Sequence, residues 1–249
     1  MSEADPGEQS LVSHLLELRS RLLKAVLVIC GVFLALLPFS DALYTALAEP
    51  LLRTLPAGSQ LVAIEVTSGF FVPMKLAFFA ALMIATPFAL YQAWAFVAPG
   101  LYQREKRLAR PILVAATLLF YAGCAFTFFA LLPVMFAYLT STAPTGVRMM
   151  TDISHYLDFV LVMLLAGGIS FEVPVFVMIA VILGWVTAKQ LGEWRGYVVV
   201  AIFIIAAILT PPDGLSQIML AVPMCLLYEA GILMARLLRP HTEADARPS

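Results

Sequence analysis

The chain has 249 residues, of which 62% are hydrophobic and only 12% charged, and its formal net charge is −1. Soluble domains carry about 25% charged residues, and a soluble core of this size could not bury so much apolar surface, so the composition reads as an integral membrane protein. The charge balance excludes a strongly basic nucleic-acid binder. Neither an H-E-x-x-H pattern nor a Gly-rich phosphate loop occurs, and His14, His155 and His241 are scattered, so no metal or cofactor is expected. Cys30, Cys124 and Cys225 lie inside apolar runs without metal-type spacing and read as packing or lipid-facing residues, not disulfide partners.

In chain order, residues 1–21 come first as a polar, amphipathic N-terminus. Leu11, Leu15, Leu18 and Leu22 fall on one helical stripe and His14, Glu17 and Arg21 on another. Glu17 and Arg21 are four apart, a spacing that favours a local ion pair of about 0.2–0.5 kcal/mol. Arg19, Arg21 and Lys24 before the run 25–39, with Ala46-Leu47-Ala48 after it, imitate a secretory signal. Acidic residues precede the run and further spans follow it, so a retained first helix is expected.

A span needs about 20 apolar residues to cross roughly 30 Å of hydrocarbon. Candidates lie near 22–43, 70–92, 111–136, 156–183, 196–210 and 215–237, followed by a flexible tail at 238–249. The expected fold is therefore all-α, one transmembrane domain over 1–249 with six helices and both ends on the same side. Breakers mark the boundaries: Leu55-Pro56-Ala57-Gly58, Pro99-Gly100, Ala143-Pro144-Thr145-Gly146, Gly184 and Pro211-Pro212-Asp213-Gly214. Twelve basic residues, in the N-terminus, the second and fourth loops and the tail, share one side, against Arg53, Lys75 and Arg148 on the other. The side with twelve is expected to be cytoplasmic, placing both termini there.

Two spans depart from the usual length. Residues 196–210 number 15, about 22 Å of helix, so the fifth span falls short of the hydrocarbon thickness or the bilayer thins around it. Residues 156–183 number 28 and contain Gly167, Gly168 and Pro174, which predicts a kinked, strongly tilted fourth span.

Glu172 stands inside that fourth apolar run. A carboxyl there costs about 2.5–3.5 kcal/mol on insertion scales and so should face protein or water, which marks it as functional. Glu105 lies among Arg104, Lys106, Arg107 and Arg110, a run that by itself reads as a solvated topology determinant. Two surface carboxylates, Glu17 and Glu105, would nevertheless suit a guanidinium ligand, since a carboxylate accepts Arg through two parallel hydrogen bonds. Trp94, Phe96, Tyr138 and Tyr156 read as interface aromatics. Gly168-Ile169-Ser170-Phe171 fails as a serine-protease motif because no histidine lies in an apolar span. A secondary transporter would need a matching pair of short spans in the first half, and spans one to three are full length.

Five ordered blocks carry a family resemblance. They are His14-Leu15-x-Glu17-Leu18-Arg19-x-Arg21-Leu22; Phe70-Phe71-x-Pro73-x-Lys75-Leu76; Tyr91-Gln92-x-Trp94-Ala95-Phe96-x-Ala98-Pro99-x-Leu101-Tyr102-x-x-Glu105; Ser170-Phe171-Glu172-x-Pro174; and Leu209-Thr210-Pro211-Pro212-Asp213. Over most of its length the chain closely resembles the TatC family, the multispanning receptor subunits of twin-arginine protein translocases. The resemblance implies a cupped arrangement with short fifth and sixth helices in a cell membrane. It also implies binding of twin-arginine signal peptides and proton-motive-force-driven passage of folded proteins. The implied partners are single-span TatA- and TatB-type proteins and further copies of the chain in a multimeric complex. By motif, Glu17 and Glu105 match the acids that meet the arginine pair, with Arg19, Phe96 and Lys106 beside them. Glu172 matches an acid facing the groove. Thr210 and Gln217 match positions where partner helices dock, and Pro50 and Asp213 match functional outer-loop positions. Members of the family often carry Arg where Lys106 stands, which keeps the charge and changes its geometry.

Overall fold

The computed structural model describes residues 6–45, 60–97, 109–142, 150–210 and 213–238. Pro50, Glu105 and Lys106 lie outside the described residues. Within them the chain runs α1 (Pro6–Leu36), β1 (Gln60–Val62), α2 (Ser68–Val97), α3 (Ala109–Phe126), a π turn (Thr127–Leu131), α4 (Leu132–Ser141), β2 (Met150–Asp152), α5 (Ile153–Ser170), α6 (Val173–Ile182), α7 (Ala188–Glu193), α8 (Arg195–Leu209) and α9 (Gly214–Leu238). Five stretches are long and apolar enough to cross a membrane: His14–Thr45, Ser68–Phe96, Arg110–Leu139, Ile153–Ile182 and Gly214–Leu237. A sixth apolar helix, α8, is short, at 15 residues. The last helix was expected to be short as well, but α9 has 25 residues, so the shortfall is confined to α8.

The amphipathic N-terminus and the first span form one continuous helix. No Gly or Pro interrupts residues 8–30, and the straight-chain residues between them favour helix. The third span is interrupted by the π turn, where the Leu132 N–H bonds to Thr127 O, five residues back. Pro133 follows at once. Its ring would clash with the carbonyl four residues earlier, and the wider turn makes room for it. The fourth span breaks into α5 and α6 because Pro174 is tolerated only near the start of a helix. Glu172 is the residue before α6, and the Glu172 N–H donates to Ile169 O at 3.0 Å.

The chain divides into two compact units. One comprises Met1–Glu49 and Gly69–Leu113, the other Pro50–Ser68 and Val114–Ser249. In the first unit, Phe33 of α1 meets Phe78 of α2 edge to face, with centroids 5.6 Å apart. In the second, a core of Leu131, Val177, Val181, Leu191, Ile202, Ala206, Leu220, Met224, Tyr228 and Ile232 gathers α6, α7 and α8 around α9. Gly231 lets α9 lie against α6, since a Cβ there would sit 2.9 Å from Pro174 Cα. Gly123, Gly167 and Gly168 do the same for α3 and α5, where side chains at 123 and 168 would meet Phe171 and Phe120.

The second unit also contains a clasp that an all-helical reading does not anticipate. β1 and β2 pair in parallel, Gln60 with Met150, Leu61 with Thr151 and Val62 with Asp152. Two membrane-length stretches separate the strands in sequence, which returns the chain to the side from which it left. Asp152 caps this clasp: Oδ1 accepts the Ile64 N–H at 3.4 Å and Oδ2 meets His155 Nδ1 at 2.7 Å. Ser68 and Ser154 hydroxyls are bonded at 2.8 Å beside it.

Candidate functional site

In the first unit, α1 and α2 bring part of the expected surface patch together. Glu17 is half-buried on α1, and Arg21, one turn later, donates Nε and Nη2 to its Oε1 at 2.9 and 2.5 Å. This is the local pair that the spacing favours, and both contacts fall on a single carboxylate oxygen. One turn earlier, His14 stacks on Phe96 at the end of α2, with ring centroids 4.3 Å apart. Arg19 is exposed on the same helix. Glu105 and Lys106, the other expected members, lie outside the described residues. The stacking role of His14 is a contact between distant segments that helical periodicity alone could not reveal.

Glu172 occupies the break between α5 and α6 and is only 4% exposed. Its Oε1 is buried without a hydrogen-bond partner, an arrangement that buried polar groups rarely adopt. Thr127, on the π turn, is fully buried with an equally unpartnered hydroxyl, pressed against Gly167 one turn before Phe171. Ser170 turns inward and donates to Ala166 O at 2.6 Å. Glu172 and Thr127 are both enclosed by the helices around them, which leaves an acid and a hydroxyl unpaired inside the second unit.

The α8–α9 hairpin holds the remaining expected positions. Thr210 ends α8, its hydroxyl donating to Ala206 O at 2.8 Å. Asp213 caps α9 by accepting the Ser216 N–H at 2.7 Å, while Asp213 Oδ2 and Ser216 Oγ are buried and unpartnered. Gln217 crosses to α8, donating Nε2 to Phe203 O at 3.0 Å. At the opposite end of the hairpin, Arg195 donates Nε and Nη2 to the two carboxylate oxygens of Glu229 at 2.6 and 2.7 Å. Glu229 is a second acid inside an apolar helix, and the rule that marks Glu172 in the sequence applies to it as well.

Near the clasp, burial would raise the Asp152 carboxyl, but hydrogen bonds from His155 and from the amides of Ile64, Ser154 and His155 outweigh it and hold the group below the usual range. Among the described residues, no group of His, Cys, Asp and Glu could hold a metal ion.

Comparison with known proteins accords with this architecture. The family described as Sec-independent protein translocase protein (TatC) matches residues 13–223. The chain is 46% identical to the Sec-independent protein translocase protein TatC of Haemophilus influenzae, over 99% of this chain and 96% of that protein. It is 44% identical to the TatC of Escherichia coli K12, over 92% and 88%. A crystal structure of a twin arginine translocase receptor TatC superposes with a TM-score of 0.78 at 33% identity, covering 90% of this chain and 98% of that one. This multi-pass membrane protein, a component of Sec-independent protein translocation, belongs to the TatC family.

Proposed function

We propose that the chain is the receptor of a twin-arginine translocase, binding paired-arginine signal peptides at the cytoplasmic face of the cell inner membrane, where both of its termini lie. The observation that carries this reading is the Glu17 carboxylate, half-exposed and already holding a guanidinium through two N–H donors on one oxygen. A carboxylate in that setting accepts an incoming arginine in the same way, and the planar guanidinium fork offers paired donors where lysine offers a point charge. Each such pairing is modest at an exposed site, so two acids are needed. Glu105 supplies the second, with Arg19, Phe96 and Lys106 framing the patch.

The apolar part of the signal peptide lies along the groove of the fourth, fifth and sixth spans, where Glu172 meets a polar group or water. TatA- and TatB-type single-span helices dock at the α8–α9 hairpin through Thr210 and Gln217, and Pro50 and Asp213 serve the outer loops. The proton-motive force drives passage of folded cargo, and several copies of the chain make up the receptor complex. Photocrosslinkers at 17 and 105 test the reading. A twin-arginine peptide should crosslink at both positions and a twin-lysine peptide at neither, and equal labelling by the two peptides would reject it.

A further inference from the structure

Helix α8 is weakly anchored by apolar packing. Only Ile202 and Ala206 of its residues are buried, and in a bilayer such packing gains little because lipid tails are as apolar as the side chains. Polar contacts join it to its neighbours at two levels. Near its middle, Phe203 O accepts from Gln217 Nε2 of α9. At its start, Arg195 and Glu229 form their two-bond pair, and Tyr228 Oη donates at 2.8 Å to Leu191 O of α7, the turn that leads into α8.

Local structure does not account for the Arg195–Glu229 pair. Arg195 is the first residue of α8, where a cation opposes the helix dipole. A bias toward basic residues on one membrane face explains an arginine there but not an acid within an apolar helix. The pair also falls where the two helices are level. From Gly214 to Glu229 the rise is about 22 Å, the same as α8 from end to end, so the hairpin closes flush while residues 230–238 continue beyond it.

We propose that Arg195 and Glu229 are positioning residues for translocation. Their pair fixes the axial register and rotation of α8 on α9, and thereby the side chains that α8 presents to a partner helix, without taking part in signal-peptide recognition. This rests on the docking reading of Thr210 and Gln217 above. With the pair formed, Val200, Ile204 and Ile208 make an exposed stripe at helical spacing that leads toward Thr210. A slip of one residue turns that stripe by about 100°.

The test uses the full chain in membranes with its single-span partners and compares Arg195→Glu, Glu229→Arg and the double exchange, which conserves net charge. Four quantities are read: export of a folded reporter, crosslinking of a twin-arginine peptide from position 17, crosslinking from position 204 to the partner, and the distance between spin labels at the exposed Ile204 and Leu226. Each single change should lower export at least about tenfold, shift the 204–226 distance and the partner crosslink, and leave peptide crosslinking within about twofold; the double exchange should restore all of them. Wild-type export in the single variants, a double exchange no better than the singles, or loss of peptide crosslinking would each overturn the proposal. If position 204 of the otherwise unaltered chain never labels a partner, the docking reading fails by itself. The distance and its rescue then decide the positioning role, and an unchanged distance overturns it.

Discussion

The imidazole of His14 stacks on the ring of Phe96, centroids 4.3 Å and planes 28° apart, tying the start of the first span to the end of the second. Glu17 lies one turn further along α1, so this stack sets where its carboxylate stands relative to the end of α2. An aromatic pair of this kind contributes about 0.5–1.5 kcal/mol. Phe96→Ala should therefore lower twin-arginine peptide crosslinking about two- to tenfold, and Phe96→Tyr should retain it. Equal binding in the two variants would remove the stack from the site.

Glu17→Ala and Glu105→Ala should each weaken peptide binding, and the double change should abolish it. Arg21→Gln frees the Glu17 oxygen that Arg21 now occupies. Because such an i,i+4 pair contributes about 0.2–0.5 kcal/mol, affinity should stay level or rise by no more than about twofold. A steep loss on Arg21→Gln, measured by peptide titration in membranes, would show that Arg21 orients the acid instead of competing for it.

Glu172 has a buried oxygen in need of a partner, and a neutral amide can take part in the same hydrogen bonds. Glu172→Gln should keep most export activity and Glu172→Leu should lose it. Full activity with Leu would show that the buried acid is dispensable.

A Cβ at position 167 would fall within the Thr127 hydroxyl. Gly167→Ala should therefore destabilise the protein by about 1–3 kcal/mol, the usual cost of overpacking, read as a lower unfolding midpoint in detergent. Thr127→Ala in the same chain should recover most of that loss, although the Cβ at position 127 and Gly123 O would still stand 3.0 and 3.1 Å from the added methyl.

The Asp152 carboxyl is held below its ordinary range in the folded chain, so its contribution is fully present above the unfolded Asp value near 3.9 and is lost as the pH falls through the lower folded value. Hydrogen-exchange protection of the clasp around Ile64 should be constant between about pH 5 and 7 and decline below about pH 4. A decline already near pH 6 would show that the Asp152 carboxyl, whose side chain is 6% exposed, does not control the clasp.

Much of this was legible in the residues themselves. Apolar length marked the five membrane-length stretches, Pro174 marked the break beside Glu172, and Pro-Asp-Gly marked the capped start of α9. The π turn was not legible, because inserting one residue into an apolar helix hardly alters its hydropathy and its cause, Pro133, acts through a carbonyl four residues earlier. The strands escaped as well: Gln-Leu-Val and Met-Thr-Asp are three residues each, too short for an alternating pattern to register. Glu17 was readable as a partner of Arg21 from spacing alone, whereas the His14–Phe96 stack and the Arg195–Glu229 pair join residues far apart in sequence, which only the folded chain brings together.

The three-residue clasp has a consequence for the order of assembly. Its Asp152–Ile64 bond closes a loop of 88 residues, and closing a loop of that length carries an entropic cost that the few contacts of an isolated clasp would struggle to offset. The second and third membrane-length stretches lie inside that loop, so β1 must wait, unpaired, until both have crossed and β2 has emerged beside it. Closure of the clasp therefore reports that the two spans are in place, and a chain stalled during insertion would present β1 as an open strand edge.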